Sequence, residues 1–169
     1  SPSAEAADDQ RKSRGMKQAR HCFVSETGEV LPRWLEAFPK ASGIQFGTGK
    51  ASKPAPTHLW VRLPPDRPAA TILADLRRIH GNLPCIVLSD LPSDDEALAC
   101  FAAAARGYCN THAAPVFLRQ VADVIGQGGL WIGESLMNRL VQATSRIEPR
   151  MPAESNDSWA SSLTRREQE

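Results

Sequence analysis

An arginine and two hydroxyl side chains occupy positions from which they could bind an anion. Arg62 interrupts the apolar run of residues 58–63, while Ser89 and Thr111 each follow a short segment typical of a β-strand. A guanidinium group together with hydroxyl groups can bind a carboxylate or a phosphate, because the guanidinium supplies charged hydrogen-bond donors that bind two oxygens at once. These residues are far apart in the sequence, so they form a site only if the fold brings the ends of their strands together.

Other residues that could do chemistry are arranged in ways that exclude several reactions. The chain has four cysteines and four histidines: Cys22, Cys85, Cys100, Cys109, His21, His58, His80 and His112. The cysteines have no C-x-x-C spacing and the histidines are scattered, which disfavours disulfides and metal clusters and places the histidines at the surface or at strand edges. Ser89 and His112 lack the glycine pattern of a hydrolase nucleophile, and residues 47–50 lack the spacing of a phosphate-binding loop. We therefore expect no enzyme activity, no metal and no cofactor.

Composition and charge limit the class of protein further. A chain of 169 residues with 41% hydrophobic and 23% charged residues suffices for one compact domain with tails. Lys and Arg total 20 against 19 Asp and Glu, so a net charge of +1 draws the chain neither to nucleic acid nor to an acidic membrane. The longest apolar run, residues 97–105, is too short to span a bilayer. These features predict a soluble, cytoplasmic protein without membrane contact.

Short apolar runs alternate with helical patterns from His21 onward, as in strands joined by crossover helices. The predicted strands are His21–Val24, Ile44–Phe46, His58–Leu63, Cys85–Leu88 and Gly107–Asn110. The predicted fold class is therefore α/β, with a five-stranded parallel sheet.

Two of the predicted helices carry specific sequence signals. Ser93 and Glu96 have the spacing of a capping box, in which each side chain binds a free backbone amide, and this helix is expected to run to Arg106 with Gly107 as its stop. Pro115 opens the next helix at a first-turn position. Its predicted buried stripe consists of Val116, Val121, Val124 and Ile125.

The ends of the chain differ in composition from its middle. Residues 1–19 carry almost no bulky apolar side chain, which predicts a disordered arm before the domain at 20–127. Residues 128–145 form an extra amphipathic segment, for intradomain packing or for a dimer surface, and 146–162 form a polar linker. A helix begins within residues 163–169, from which we expect further chain beyond them.

Two segments resemble parts of one protein family. Ala102–Ala113 (AAAARGYCNTHA) resembles the region of response-regulator receiver domains in which an A-R-G-Y turn enters the fifth strand. Leu163–Glu169 (LTRREQE) looks like the opening of the helix-turn-helix domain of the NarL/LuxR branch, and the order of receiver, linker and DNA-binding domain matches that branch. The resemblance implies a flavodoxin-like doubly wound fold with strand order 2-1-3-4-5 and a site at the carboxyl ends of the strands.

The resemblance also implies which residues occupy the phosphorylation site of the family. Receivers hold Mg²⁺ with an acidic pair after the first strand, and this pair corresponds to Ser25 and Glu26. The aspartate that accepts the phosphoryl group after the third strand corresponds to Arg62. The hydroxyl residue after the fourth strand is Ser89, and the lysine after the fifth strand is replaced by Thr111. The sequence thus resembles a degenerate receiver.

These substitutions remove the chemistry of phosphorylation. A guanidinium stays protonated and has no lone pair to attack phosphorus, so Arg62 cannot be an acceptor. One glutamate beside an arginine repels Mg²⁺, so metal binding should be lost. We expect an ion pair between Glu26 and Arg62, with Asp90 as a competing partner. In a simpler interpretation, Arg62 extends from its strand into solvent.

Three further residues each have a functional and a purely structural interpretation. Asp66 and Asp90 are the candidates for a displaced acceptor, but Asp66 follows two prolines and Asp90 is more simply a turn or cap residue. Tyr108 corresponds to an aromatic residue whose rotamer, in the family, couples to the hydroxyl residue, or else it is a tyrosine at the edge of the core.

Three functions stay open. The leading interpretation is a phosphorylation-independent regulatory domain of a LuxR-family transcription regulator, which forms a homodimer or senses an input and reaches promoter DNA only through a domain beyond this chain. The second is a receiver that accepts a phosphoryl group from a histidine kinase on a displaced aspartate. The third is a module that binds a small anionic ligand in the vacated pocket with Arg62, Ser89 and Thr111.

Overall fold

A computed structural model describes residues 18–51 and 53–147. The predicted arm up to residue 17, the linker from residue 148 and the helix start at 163–169 lie outside the described residues. The strands are β1 (His21–Ser25), β2 (Ser42–Gln45), β3 (His58–Arg62), β4 (Cys85–Ser89) and β5 (Gly107–Asn110). The helices are α1 (Pro32–Ala37), α2 (Ala69–His80), α3 (Asp94–Ala102), α4 (Pro115–Gly126) and α5 (Glu134–Ile147).

The five strands form one parallel sheet in the order β2-β1-β3-β4-β5, which confirms the predicted doubly wound fold. Helices α1 and α4 contact each other, as do α2 and α3. Such helix pairs cover the two faces of a parallel sheet, which explains why β4 is buried along its whole length. None of the helices in the described part of the chain is long and apolar enough to cross a membrane.

An aromatic stack fills the core between β1, β3 and α1. The Phe23 ring lies 4.5 Å from the Trp34 ring and 5.3 Å from the Trp60 ring, measured between centroids. All three side chains are fully buried. The indole Nε1 of Trp34 donates a 3.0 Å hydrogen bond to the backbone carbonyl of Thr111, so the core is tied directly to the loop after β5.

The helix after β4 is shorter than predicted. It ends at Ala102 rather than Arg106, and the chain then turns through Ala104, whose φ is 71°. Gly107 is not the helix stop but the first residue of β5, where a Cβ atom would lie 3.2 Å from Cγ2 of Ile86. The four consecutive alanines at 102–105 gave no signal for this turn, because alanine favours helix continuation.

The buried face of α4 differs from the predicted stripe. Val121 and Ile125 are buried as expected, but Val116 is 57% exposed. Leu118 and Ala122 complete the buried face at the spacing of adjacent helical turns. Val116 lies in the first turn on the opposite side, so the prediction for that residue was wrong.

The described chain divides into two compact units, with the boundary between Trp131 and Ile132. The first unit contains the sheet, and Trp131 adds an isolated parallel bridge to Gly107 at its edge. The second unit contains α5, in which Leu136, Leu140 and Val141 recur at helical spacing.

Candidate functional site

The carboxyl ends of the strands bring the predicted site residues to one edge of the sheet. Val24 of β1 pairs with Val61 of β3, so the next residues, Ser25 and Arg62, lie opposite each other. Arg62 pairs in turn with Leu88 of β4. Because all strands are parallel, the residues that follow these positions share the same edge.

Arg62 forms a two-pronged ion pair with Asp90. Its Nε lies 3.0 Å from Oδ1 and its Nη2 lies 3.0 Å from Oδ2 of the same carboxylate. This fork geometry holds the pKa of Asp90 below its ordinary value, chiefly through the hydrogen bond from Arg62. The hydrogen bond to Asp90 likewise raises the pKa of Arg62, and the charges of Glu29 and Glu26 add to this shift. The guanidinium is therefore a permanent cation with a carboxylate already bound.

The predicted Glu26–Arg62 ion pair was wrong, and Asp90, named as the competing partner, is the partner found. The strand register explains this choice. Asp90 lies two residues beyond Leu88, the register partner of Arg62, and therefore on the same face of the sheet as Arg62. Glu26 lies one residue beyond Ser25, so the alternation of side chains along a strand turns it away.

Ser25 and Glu26 shape the loop after β1. Ser25 is buried, and its Oγ accepts a 3.0 Å hydrogen bond from the backbone amide of Gly28, whose φ is +76°. The backbone carbonyl of Glu26 accepts a 3.1 Å bond from Nε2 of Gln45, while the residue itself is exposed. At the end of β1 the chain thus has a turn-forming hydroxyl on Ser25, followed by the exposed carboxylate of Glu26.

Ser89 and Tyr108 both donate to one oxygen of Glu96. The Ser89 hydroxyl donates to Oε1 of Glu96, and the Tyr108 hydroxyl donates to the same atom over 2.6 Å. Tyr108 also accepts a 3.0 Å bond from the backbone amide of Ser93. Burial, followed by the hydrogen bond to Glu96, raises the pKa of Tyr108 to about 12. Tyr108 therefore links β5 to the first turn of α3.

Only half of the predicted capping box is formed. The Ser93 hydroxyl accepts a 3.1 Å bond from the backbone amide of Glu96, as expected for an N-cap. The Glu96 side chain does not return to the Ser93 backbone but binds Ser89 and Tyr108. Two hydroxyl donors on neighbouring strands offer this carboxylate a stronger site than one exposed amide does. Glu96 is the site residue that the sequence analysis missed, because its S-x-x-E spacing was fully explained by the cap.

Thr111 directly follows β5 and is fully buried. Its backbone amide donates a 2.9 Å hydrogen bond to the carbonyl of Ser89, which holds the loop after β5 against β4. Its hydroxyl contributes to the lowered pKa of Asp90. Thr111 thus positions the loop after β5 and adds no charge to this edge.

The chemical capacity of this edge is limited. Arg62 has its carboxylate and the Ser89 hydroxyl has its acceptor, so two of the three donors expected to bind an anion are already satisfied. Asp66 is exposed in the turn after β3. Within residues 18–51 and 53–147, no group of three His, Cys, Asp or Glu side chains could hold a metal ion, and all four cysteines are buried.

Comparison with known proteins identifies relatives by structure alone. No family model matches the chain, and no curated protein matches its sequence. A LuxR-family two-component response regulator from Aurantimonas sp. SI85-9A1 is similar with a TM-score of 0.55 and 17% identity, over 76% of this chain and 99% of that one. The isolated REC domain of RcsB from Salmonella enterica serovar Typhimurium, with a beryllium fluoride phosphomimetic, gives a TM-score of 0.51 and 15% identity over 72% and 98%.

The RcsB response regulator from Salmonella typhimurium, as its S207C variant, is also similar. In one crystal form it gives a TM-score of 0.54 and 16% identity, over 82% of this chain and 69% of that one. At these identities the likeness concerns the fold and not the site residues. The chain has the flavodoxin-like fold of response-regulator receiver domains, including LuxR-family ones.

Proposed function

We propose that this chain is a receiver-like regulatory domain of a LuxR-family transcription regulator that works without aspartyl phosphorylation. The observation that carries the proposal is the Arg62–Asp90 ion pair at the end of β3 and β4. A cation stands where the family has its phosphoryl acceptor, and the nearest aspartate is bound to that cation by both oxygens.

The electrostatics of the edge support the loss of the metal as well. Receiver phosphorylation needs Mg²⁺, which prefers several negatively charged oxygen ligands. Here Arg62 adds a positive charge among the few nearby carboxylates, and the Asp90 carboxylate is occupied by its hydrogen bonds. A phosphoryl group placed on Asp90 would have to displace Arg62 first.

The Tyr108–Glu96–Ser89 contacts supply a fixed alternative to a phosphorylation-driven change. In the family an aromatic side chain at this position couples to the hydroxyl residue, and here both side chains donate hydrogen bonds to Glu96. The domain then acts as a constant scaffold. In this proposal it acts in the cytoplasm as a homodimer and sets the spacing of two DNA-binding domains on a two-fold promoter site.

Intact mass spectrometry after incubation with acetyl phosphate and Mg²⁺ tests the proposal. We expect no mass increase by one phosphoryl group, and no change in oligomeric state by light scattering with the same donor. A matched pair of variants, Asp66→Asn and Asp90→Asn, identifies the acceptor if a phosphoryl group is found. If the wild type gains a phosphoryl group and one of these variants does not, the proposal is overturned and the chain is a receiver with a displaced acceptor.

A further inference from the structure

A cavity of about 780 Å³ lies at the opposite end of the sheet from Arg62. It lies between the start of β1, the segment that joins α1 to β2, and the loop before β3, and it is lined by residues 18–21, 37–44, 53–54 and 56. This volume is within the range of pockets that bind small organic molecules, roughly 300 to 1,000 Å³.

The charged residues of this cavity are all basic. Arg20, Lys40 and Lys53 line it, and none of the described residues in its wall is an aspartate or a glutamate. The chain as a whole has nearly equal numbers of acidic and basic residues. A wall with three basic residues and no acidic one therefore differs in charge from the chain as a whole. At the Arg62 edge, in contrast, the cation is matched by Asp90.

Most of the remaining wall is apolar or aromatic, and Gln18 and Ser42 are its polar side chains. His21 and Phe38 stack with their ring centroids 3.7 Å apart, and Ile44 and Pro54 add aliphatic surface. Nδ1 of His21 accepts a 3.0 Å hydrogen bond from Nε1 of Trp60, which fixes the ring. Burial, together with the neighbouring His58, lowers the pKa of His21 to about 3, so this ring is neutral and adds no charge.

We propose that this cavity binds a small organic anion, a molecule with a flat apolar body and at least one carboxylate, sulfonate or phosphate group. The apolar body contacts the wall of His21, Phe38 and Ile44, and the anionic group lies among Arg20, Lys40 and Lys53. The cavity, not the site of Arg62, is then the place where this domain senses a ligand.

Two fluorescent probes of the same shape test the proposal. Anilinonaphthalene sulfonate carries an anionic group, and phenylnaphthylamine has the same rings without it. We expect the sulfonate to bind with saturable fluorescence and at least about tenfold more tightly than the neutral probe, with an affinity that falls as salt is added. Equal binding of the two probes, or no binding of the sulfonate, overturns the proposal.

Variants locate the binding. Lys53→Gln removes a cavity cation, and Lys50→Gln removes an exposed cation of the same loop that does not line the cavity. We expect the Kd of the sulfonate to rise about threefold in Lys53→Gln and to stay unchanged in Lys50→Gln, since partly exposed charge pairs contribute about 0.2 to 1 kcal/mol each. Arg20→Gln and Lys40→Gln should each act like Lys53→Gln, so the test does not depend on one variant folding.

Amide chemical shifts of the unmodified protein provide the second readout. Addition of the sulfonate should shift Ala19, Ala41 and Ile44, which line the cavity, and leave Ser89 and Thr111 unchanged. Shifts concentrated at Ser89 and Thr111, or a loss of affinity in Lys50→Gln equal to that in Lys53→Gln, would place the ligand elsewhere and refute the proposal.

Discussion

The hydroxyl of Tyr108 in β5 donates over 2.6 Å to Oε1 of Glu96, in the first turn of α3. Since Ser89 donates to the same oxygen, this carboxylate connects β4, β5 and α3. Tyr108 is only 7% exposed and Glu96 is half-buried, so the contact is partly shielded from water, which strengthens a hydrogen bond to a charged group. The arrangement fixes the position of the loop between β4 and α3.

Tyr108→Phe is expected to lower the free energy of unfolding by about 1 to 2 kcal/mol, because it removes a buried hydrogen bond to a carboxylate. It also takes the acceptor from the Ser93 amide. Urea unfolding followed by tryptophan fluorescence measures the change. Glu96→Gln is the matched comparison: it keeps an acceptor oxygen for one hydroxyl and should cost less than Glu96→Ala. A Tyr108→Phe protein as stable as the wild type would show that the contact does not stabilise the domain.

Arg62→Ala is expected to raise the pKa of Asp90 towards its ordinary value, since the hydrogen bond from Arg62 is the main cause of its lowered pKa. The folded protein binds the Asp90 proton more weakly than the unfolded chain does. The stabilisation by the pair is therefore present above about pH 4 and lost as the pH falls through the folded pKa. Both side chains are partly exposed, so the loss near neutral pH should stay below about 1 kcal/mol.

Carboxyl chemical shifts followed by NMR as a function of pH measure the pKa of Asp90. Arg78→Ala, which removes only the 3.9 Å pair with Asp75, serves as the control and should leave Asp90 unchanged. An Asp90 pKa that is the same with and without Arg62 would contradict the assignment of the cause.

The sequence was sufficient to predict the sheet and the edge at which the site residues meet. Alternating apolar runs specify strands, and the rule that parallel strands end at one edge places Arg62, Ser89 and Thr111 there without coordinates. To choose between Glu26 and Asp90 as the partner of Arg62, the register of the strands must be known. A shift of one residue along a strand moves a side chain from one face of the sheet to the other. Such a difference is decided by packing across the sheet and is not visible in one sequence.

Glu96 and the histidines show that local sequence pattern does not predict the partners of a side chain. The S-x-x-E signal described the backbone start of α3 correctly but not the direction of the glutamate side chain. His58, expected at the surface or at a strand edge, is buried, and its Nε2 contacts the carbonyl of Ala122 over 3.1 Å. Its partner belongs to α4, far along the chain, so local pattern carried no sign of the contact.

Arg62→Asp is expected to make the stability of the domain depend on Mg²⁺. The substitution replaces the cation that repels the metal with a fourth carboxylate, beside Asp90, Glu29 and Glu26. A metal at ten times its Kd would add about 1.4 kcal/mol to the free energy of unfolding. Thermal unfolding with and without Mg²⁺ measures the effect, and the wild type should show none. Arg67→Asp makes the same change of charge at a residue whose ion-pair partner is Asp75 of α2 and not Asp90, and it is the control. A wild type stabilised by Mg²⁺ as strongly as Arg62→Asp would contradict the proposed exclusion of the metal.

His21→Asn is expected to reduce the sensitivity of the fold to acid. The pKa of His21 falls from 6.5 to about 3 on folding, because the ring is buried and lies beside His58. Above pH 6.5 the His21 ring is neutral in both the folded and the unfolded chain, so it has no effect on stability. Below pH 6.5 the ring binds a proton in the unfolded chain but stays neutral in the folded one. The free energy of unfolding therefore falls between pH 6.5 and about 3. Between pH 7 and 5 this amounts to about 1 to 2 kcal/mol. Asparagine keeps an acceptor for Trp60 but does not titrate.

Urea unfolding at pH 7 and pH 5 measures the effect. The free energy of unfolding should differ less between the two pH values for His21→Asn than for the wild type, while the control His112→Asn, at an exposed residue, keeps the wild-type difference. An undiminished loss of stability in His21→Asn would mean that the ring is charged in the folded protein, or that another group unfolds it in acid.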